Sequence, residues 1–125
     1  MKILLPLTLI LFAAPSLCFA KPIYLKCEVT ELDDPDSKVT FTVYANDKTG
    51  KVTHKQVNKY AMITAGEFSK ETIMYNISSE QETSVYDLGV VIDRANLDVI
   101  YTVKVDLIRS MSDKLFYSEG KCQKT

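Results

Sequence analysis

The chain has little of what catalysis and cofactor chemistry draw on. A single histidine, His54, stands among its 125 residues. That excludes a metal site built on a histidine cluster and leaves any His-dependent triad resting on one side chain. No Cys-x-x-Cys pair is present, so a close-paired redox centre is excluded. Neither G-x-S-x-G, H-E-x-x-H nor a P-loop pattern occurs, and no paired catalytic carboxylates stand out. The acids fall mostly in turns or at outward strand positions, where they do not converge as general acid–base chemistry requires. These absences argue against an enzyme, and no metal or cofactor is expected.

Charge of one sign is also missing. Fifteen basic residues face 16 acidic ones, interspersed and without long runs. Such a balance gives no support to nucleic-acid binding or to docking on an anionic membrane. Asp33, Asp34 and Asp36 lie close together but lack the D-x-[DN]-x-[DN]-G loop and distal glutamate of a calcium site, so they read as a solvated turn. No apolar run is long enough to span a bilayer.

The longest apolar run, Ile3–Ala14, follows one lysine and precedes Pro15 and small or modest residues up to Ala20. This is the three-part pattern of a secretory signal peptide over 1–20, leaving one small domain over 21–125. Lipidation at Cys18 is the rival reading, disfavoured by the bulky Leu17 before it. Lys2 leaves with the leader, so 14 basic residues face 16 acidic ones and the net charge becomes −2. The protein is expected to be periplasmic or secreted, soluble and monomeric.

Of the three cysteines, Cys27 and Cys122 then remain. An even number in an oxidising compartment argues for a structural disulfide, here between the first and last expected strands.

What is present is period-two alternation. Tyr86, Leu88, Val90 and Ile92 share one face of a run that a short polar break separates from Val99, Tyr101, Val103, Val105 and Leu107. Pairing Ile92 with Val99 puts both apolar rows on one face, with Ala95-Asn96 at the tip and Asn96 suited to a positive φ. Asp93 and Asp98 then become opposed outward neighbours, unfavourable unless a positive group lies close. Arg94, one of only two arginines, continues the inward row to the rim. It reads either as a carboxylate or phosphate clamp at a barrel mouth or, more commonly for such a residue, as an arginine stacked on Tyr86 or Tyr101 or paired with Asp93.

Further strands are expected over Ile23–Glu31, around Val39–Ala45, over Lys51–Val57, over Thr72–Ser78 and over Leu115–Cys122. The Asp33–Ser37, Asn46–Gly50, Ser78–Ser84 and Ser110–Lys114 stretches read as turns or loops. Lys51–Val57, which holds His54, is polar enough to be an edge or mouth strand. Tyr60–Phe68 is either a short strand ending at Gly66 or an irregular crossing. Asn76-Ile77-Ser78 matches an N-glycosylation acceptor, relevant only in a eukaryotic secretory pathway. Seven or eight strands joined by short turns give an all-β antiparallel meander. A closed or nearly closed barrel is favoured, with a β-sandwich as the alternative.

Tyr24-Leu25-Lys26-Cys27-Glu28 just after a leader, Ile92-Asp93-Arg94, and Gly120-Lys121-Cys122 are arranged as in small exported proteobacterial proteins of unknown function, which this chain resembles over nearly all of 21–125. That resemblance implies a one-domain, all-β protein with a terminal disulfide. Those proteins often carry a threonine-glycine turn after the arginine, where this chain has Asn96-Leu97. The chain is more loosely similar to periplasmic lysozyme inhibitors. It lacks their Ser-Gly and tyrosine inhibitory loop, so no inhibitory residue is carried over.

Three functions follow as expectations. The first is a protein-binding module in the bacterial periplasm. Its sharpest form is an inhibitor of, or immunity protein against, a cell-wall-lytic enzyme or toxin. The last is a small-ligand or lipid carrier whose barrel end is lined by Tyr75, Tyr86, Tyr101 and Arg94.

Overall fold

The computed structural model describes residues 21–107 and 112–125. The expected leader at 1–20, with Cys18, and positions 108–111 of the last hairpin lie outside the described residues. The strands are β1 (Ile23–Glu31), β2 (Asp34–Asn46), β3 (Lys51–Gln56), β4 (Met62–Phe68), β5 (Thr72–Glu80), β6 (Ser84–Asp93), β7 (Asp98–Leu107) and β8 (Ser112–Lys124). Each pairs antiparallel with the next, and β8 returns to β1, closing a barrel in sequence order. Closure excludes the sandwich. Among the described residues, no helix is long and apolar enough to cross a membrane.

Alternation explains the interior. Leu25, Cys27 and Val29 of β1, Phe41, Val43 and Ala45 of β2, and Ile73 and Tyr75 of β5 all face inward and are buried. Val90 and Ile92 of β6 meet Val99 and Tyr101 of β7 on the same face. Each large apolar side chain fully withdrawn from water contributes about 1.5–3 kcal/mol. The pairing of Ile92 with Val99 is the one that the alternation selects. Cys27 and Cys122 sit directly opposite each other at the β1–β8 seam and form the disulfide, 95 positions apart in the chain.

Several strands are longer than expected. β2 begins at Asp34, so the turn is only 32–33, and the irregular pairing at Thr30/Glu31 takes up Pro35 and its neighbours. β5 continues to Glu80 because β6 pairs with it throughout. β4 runs through Gly66 to Phe68, held at that end by β5. β8 takes in Ser112–Lys114, which the sequence places in a turn. β3 is not an edge strand, although its last residue, Gln56, reaches a cavity at the barrel's end. The strand pairs with β2 and β4, and Val52 and His54 are fully buried.

The meander sorts the turns between two ends. Turns 47–50, 69–71 and 94–97 gather at one, beside the start of β1 and the finish of β8. Turns 32–33, 57–61 and 81–83 gather at the other. The first is called here the Arg94 end and the second the Tyr60 end.

Candidate functional site

At the Arg94 end the backbone N–H of Arg94 donates to the Glu71 carbonyl at 2.8 Å, and its guanidinium donates to the Ser69 carbonyl at 2.9 Å. The same guanidinium lies 3.6 Å from Asp47. One side chain thus ties the β6–β7 turn to the two neighbouring turns. It is neither stacked on Tyr86 or Tyr101 nor paired with Asp93, whose Oδ1 instead accepts from the N–H groups of Ala95 and Asn96. Asp98, opposite Asp93, is relieved by Lys121 at 2.7 Å. The positive φ of this turn falls on Leu97, at 64°, and not on Asn96. Leu97 tucks its side chain against the core, so apolar packing outweighs the conformational preference. A small recess of about 310 Å³ beside Arg94, floored by Leu25, Ile73 and Ile92, completes this end.

Arg94 therefore reads as a structural clip. Arg94→Ala is expected to lower stability by about 1–2 kcal/mol through loss of the Ser69 bond. Urea denaturation measures this, and an unchanged midpoint with lost partner binding would restore the clamp reading.

The barrel's middle holds a polar chain that the sequence only partly announces. His54 of β3 is fully buried, with Nδ1 2.6 Å from the Tyr75 hydroxyl of β5. Its ring lies 4.7 Å from Phe41, which in turn lies 5.4 Å from Tyr101. Gln56 Nε2 donates to the Tyr101 hydroxyl, whereas His54 Nε2 has no partner. Val52, His54 and Gln56 point inward together because a strand turns every second side chain to one face. A polar strand reads as exposed by composition alone. The inward 52/54/56 spacing was the available signal for the opposite.

Burial sets the protonation of this chain. It pushes Tyr75 well above the ordinary tyrosine range, with the nearby Tyr101 adding to the effect. Tyr101 is raised by burial and partly offset by the Gln56 bond. Burial lowers His54 from 6.5 to about 4. The unfolded chain therefore takes up a proton near pH 6.5 that the barrel refuses until about pH 4. The stability contributed by neutral His54 is complete above pH 6.5 and falls as pH drops through that window, by on the order of 3 kcal/mol in all. His54→Gln is expected to lose stability at pH 7.5 but to flatten the decline between pH 6.5 and 4. Denaturant titrations at both limits measure the slopes, and equal slopes in the two proteins would contradict the assignment. No surface of His54 is open to a substrate, so the His54–Tyr75 pair is built as core.

The Tyr60 end is open. A cavity of about 610 Å³ is lined by Met62, Ile77, Tyr86, Leu88 and Val103, and Tyr101 and Gln56 also line it. On its rim Tyr60 is exposed almost completely, at 93%, and Val57 of the same turn is exposed as well. The four residues expected to line one barrel end are thus divided. Tyr86 and Tyr101 face this cavity, Tyr75 lies in the middle, and Arg94 is at the opposite end. Asn76 is exposed in the middle of β5, on the outer face.

This is a small disulfide-closed, eight-stranded antiparallel barrel with turns bridged by Arg94 at one end and a larger, mainly apolar mouth at the other. The chain matches no family model, no curated protein and no solved structure.

Proposed function

We propose that this is an exported, non-enzymatic binding protein that engages a partner protein in the bacterial periplasm through the mouth at the Tyr60 end. The cavity at that mouth carries the reading. It is open, lined largely by apolar side chains, and rimmed by Tyr60, a large side chain left almost wholly in water. Function on rigid barrels concentrates in loops and mouths of this kind. Export is supported by the leader pattern over 1–20 and by the disulfide, which persists in oxidising compartments. Inhibition of a cell-wall-lytic enzyme, or immunity to a toxin, is the sharpest form of this proposal.

Affinity capture from periplasmic extract tests it with three baits: the native protein, Leu88→Arg in the mouth and Lys70→Glu at the Arg94 end. A partner held by the first and third but lost by the second is expected. Loss on Lys70→Glu instead, or no partner at micromolar bait, contradicts the proposal. The cavity volume favours a second reading, a small-ligand or lipid carrier, since pockets of about 300–1,000 Å³ hold such molecules. Native mass spectrometry of freshly isolated protein separates the two, because a carrier retains added mass.

A further inference from the structure

The ladder between β4 and β5 is short. Gly66 pairs with Tyr75, Glu67 with Met74 and Phe68 with Ile73. Toward the Tyr60 end, Met62–Ala65 and Asn76–Glu80 do not pair with each other, although each stays in a strand through β3 or β6. The parting begins at once, for Thr64 Oγ1 donates to the Asn76 carbonyl at 3.1 Å, occupying an acceptor that a neighbouring strand would use. The Gly66 N–H turns the other way, to the Gly50 carbonyl at 2.8 Å. Strand backbone alternates its polar groups from side to side, so Ile63 and Ala65 turn theirs toward the gap, as do Ser78 and Glu80 from β5. Two facing edges without ladder partners are unusual inside a closed barrel, because pairing all round is what removes edges.

The gap opens directly onto the mouth cavity. Met62 lines that cavity from β4, while Ile77 and Ser79 line it from β5. Outside lies a groove of about 420 Å³ in which Ala65, Gly66 and Gly89 leave backbone approachable between the larger side chains of Met74, Asn76 and Ile100. The β5 side of the gap is acidic. Glu80 and Glu82 are exposed at its turn, and Asp87, held by Ser78 Oγ at 2.5 Å, lies alongside.

We propose that the β4–β5 seam is a strand-accepting slot, in which an extended segment of a partner protein pairs with the free edge of β5 over Ile77–Glu80. Its alternate apolar side chains enter the mouth cavity and lysines point outward. This rests on the mouth being the binding site and adds how the partner is held: backbone bonds for affinity, alternate pockets for specificity.

Amide exchange of the whole protein tests the slot, with a capped octapeptide alternating valine and lysine as the probe. Free, the amides of Ile63, Ala65, Ser78 and Glu80 are expected to exchange at least about tenfold faster than those of Val91 and Ile100 in the full β6–β7 ladder. The peptide is expected to slow those of β5 by about tenfold or more. The same peptide N-methylated at alternate residues, or carrying glutamate for lysine, is expected to bind at least about tenfold more weakly. Equal binding of the N-methylated form overturns the slot while leaving a mouth that binds side chains. Sedimentation showing a dimer with these amides already protected overturns it in favour of a second copy. No binding of any peptide at millimolar concentration contradicts both the slot and the mouth.

Discussion

Gly120→Ala is expected to prevent the barrel from closing. Gly120 faces inward on β8, between Val29 of β1 and Val99 of β7. A Cβ there would lie 1.8 Å from the Glu28 carbonyl oxygen and 2.7 Å from the Val29 Cα. Both are backbone atoms, so no side-chain rotation can make room. Either β1 moves away from β8 or the seam's hydrogen bonds are lost. Overpacking of this kind costs about 3 kcal/mol or more, a large part of the total stability of a small domain. Gly50→Ala provides the contrast. That glycine has a φ of 74° but open space around it, so only backbone strain of about 1 kcal/mol is expected. Urea denaturation of both variants measures the difference. A Gly120→Ala protein no less stable than Gly50→Ala would contradict the close approach at the seam.

The double variant Cys27→Ala/Cys122→Ala is expected to lose on the order of 4–5 kcal/mol. The bond closes a loop of 95 positions, and the chain-entropy relation assigns about that much to the freedom it removes from the unfolded state. Both sulfurs lie in the core, Cys27 without exposure and Cys122 at 4%. Reduction of the native protein by dithiothreitol is therefore expected to be slow until denaturant opens the β1–β8 seam. Denaturation midpoints of the oxidised protein and the double variant report the stability term, and thiol titration over time reports the access. A loss below about 1 kcal/mol, or rapid reduction without denaturant, would contradict the placement of the bond.

The central hairpin was legible because its alternation is clean. With Leu88, Val90 and Ile92 on one arm and Val99, Tyr101 and Val103 on the other, a slip of one residue would turn every apolar side chain to solvent, and the structure has the unslipped register. The disulfide was legible from the even cysteine count left after the expected leader. Strand ends were not. Asp34, Pro35 and Asp36 carry turn chemistry yet extend β2, because in a closed barrel the neighbouring strand supplies pairing that local preference does not foresee. The burial of His54 has a related origin: β3 is polar enough in composition to suit an edge or mouth strand, whereas barrel closure buries its inward row. The division of Arg94 from Tyr86 and Tyr101 depends on which way each strand runs and on how far along it a residue sits. Inward facing alone does not carry that information. Nor could the parted β4–β5 seam be read, since no residue pattern marks where a ladder stops.

The two ends of the barrel offer the most direct test of the account, which assigns binding to one and architecture to the other. A photo-crosslinking residue placed at Tyr60, on the mouth rim, and separately at Thr49, in an exposed turn at the Arg94 end, reports which end meets a partner in living cells. Ultraviolet-dependent adducts of discrete mass from position 60 and none from position 49 are expected. Adducts from position 49 alone, or the same adducts from both, would contradict the assignment of the mouth as the binding site.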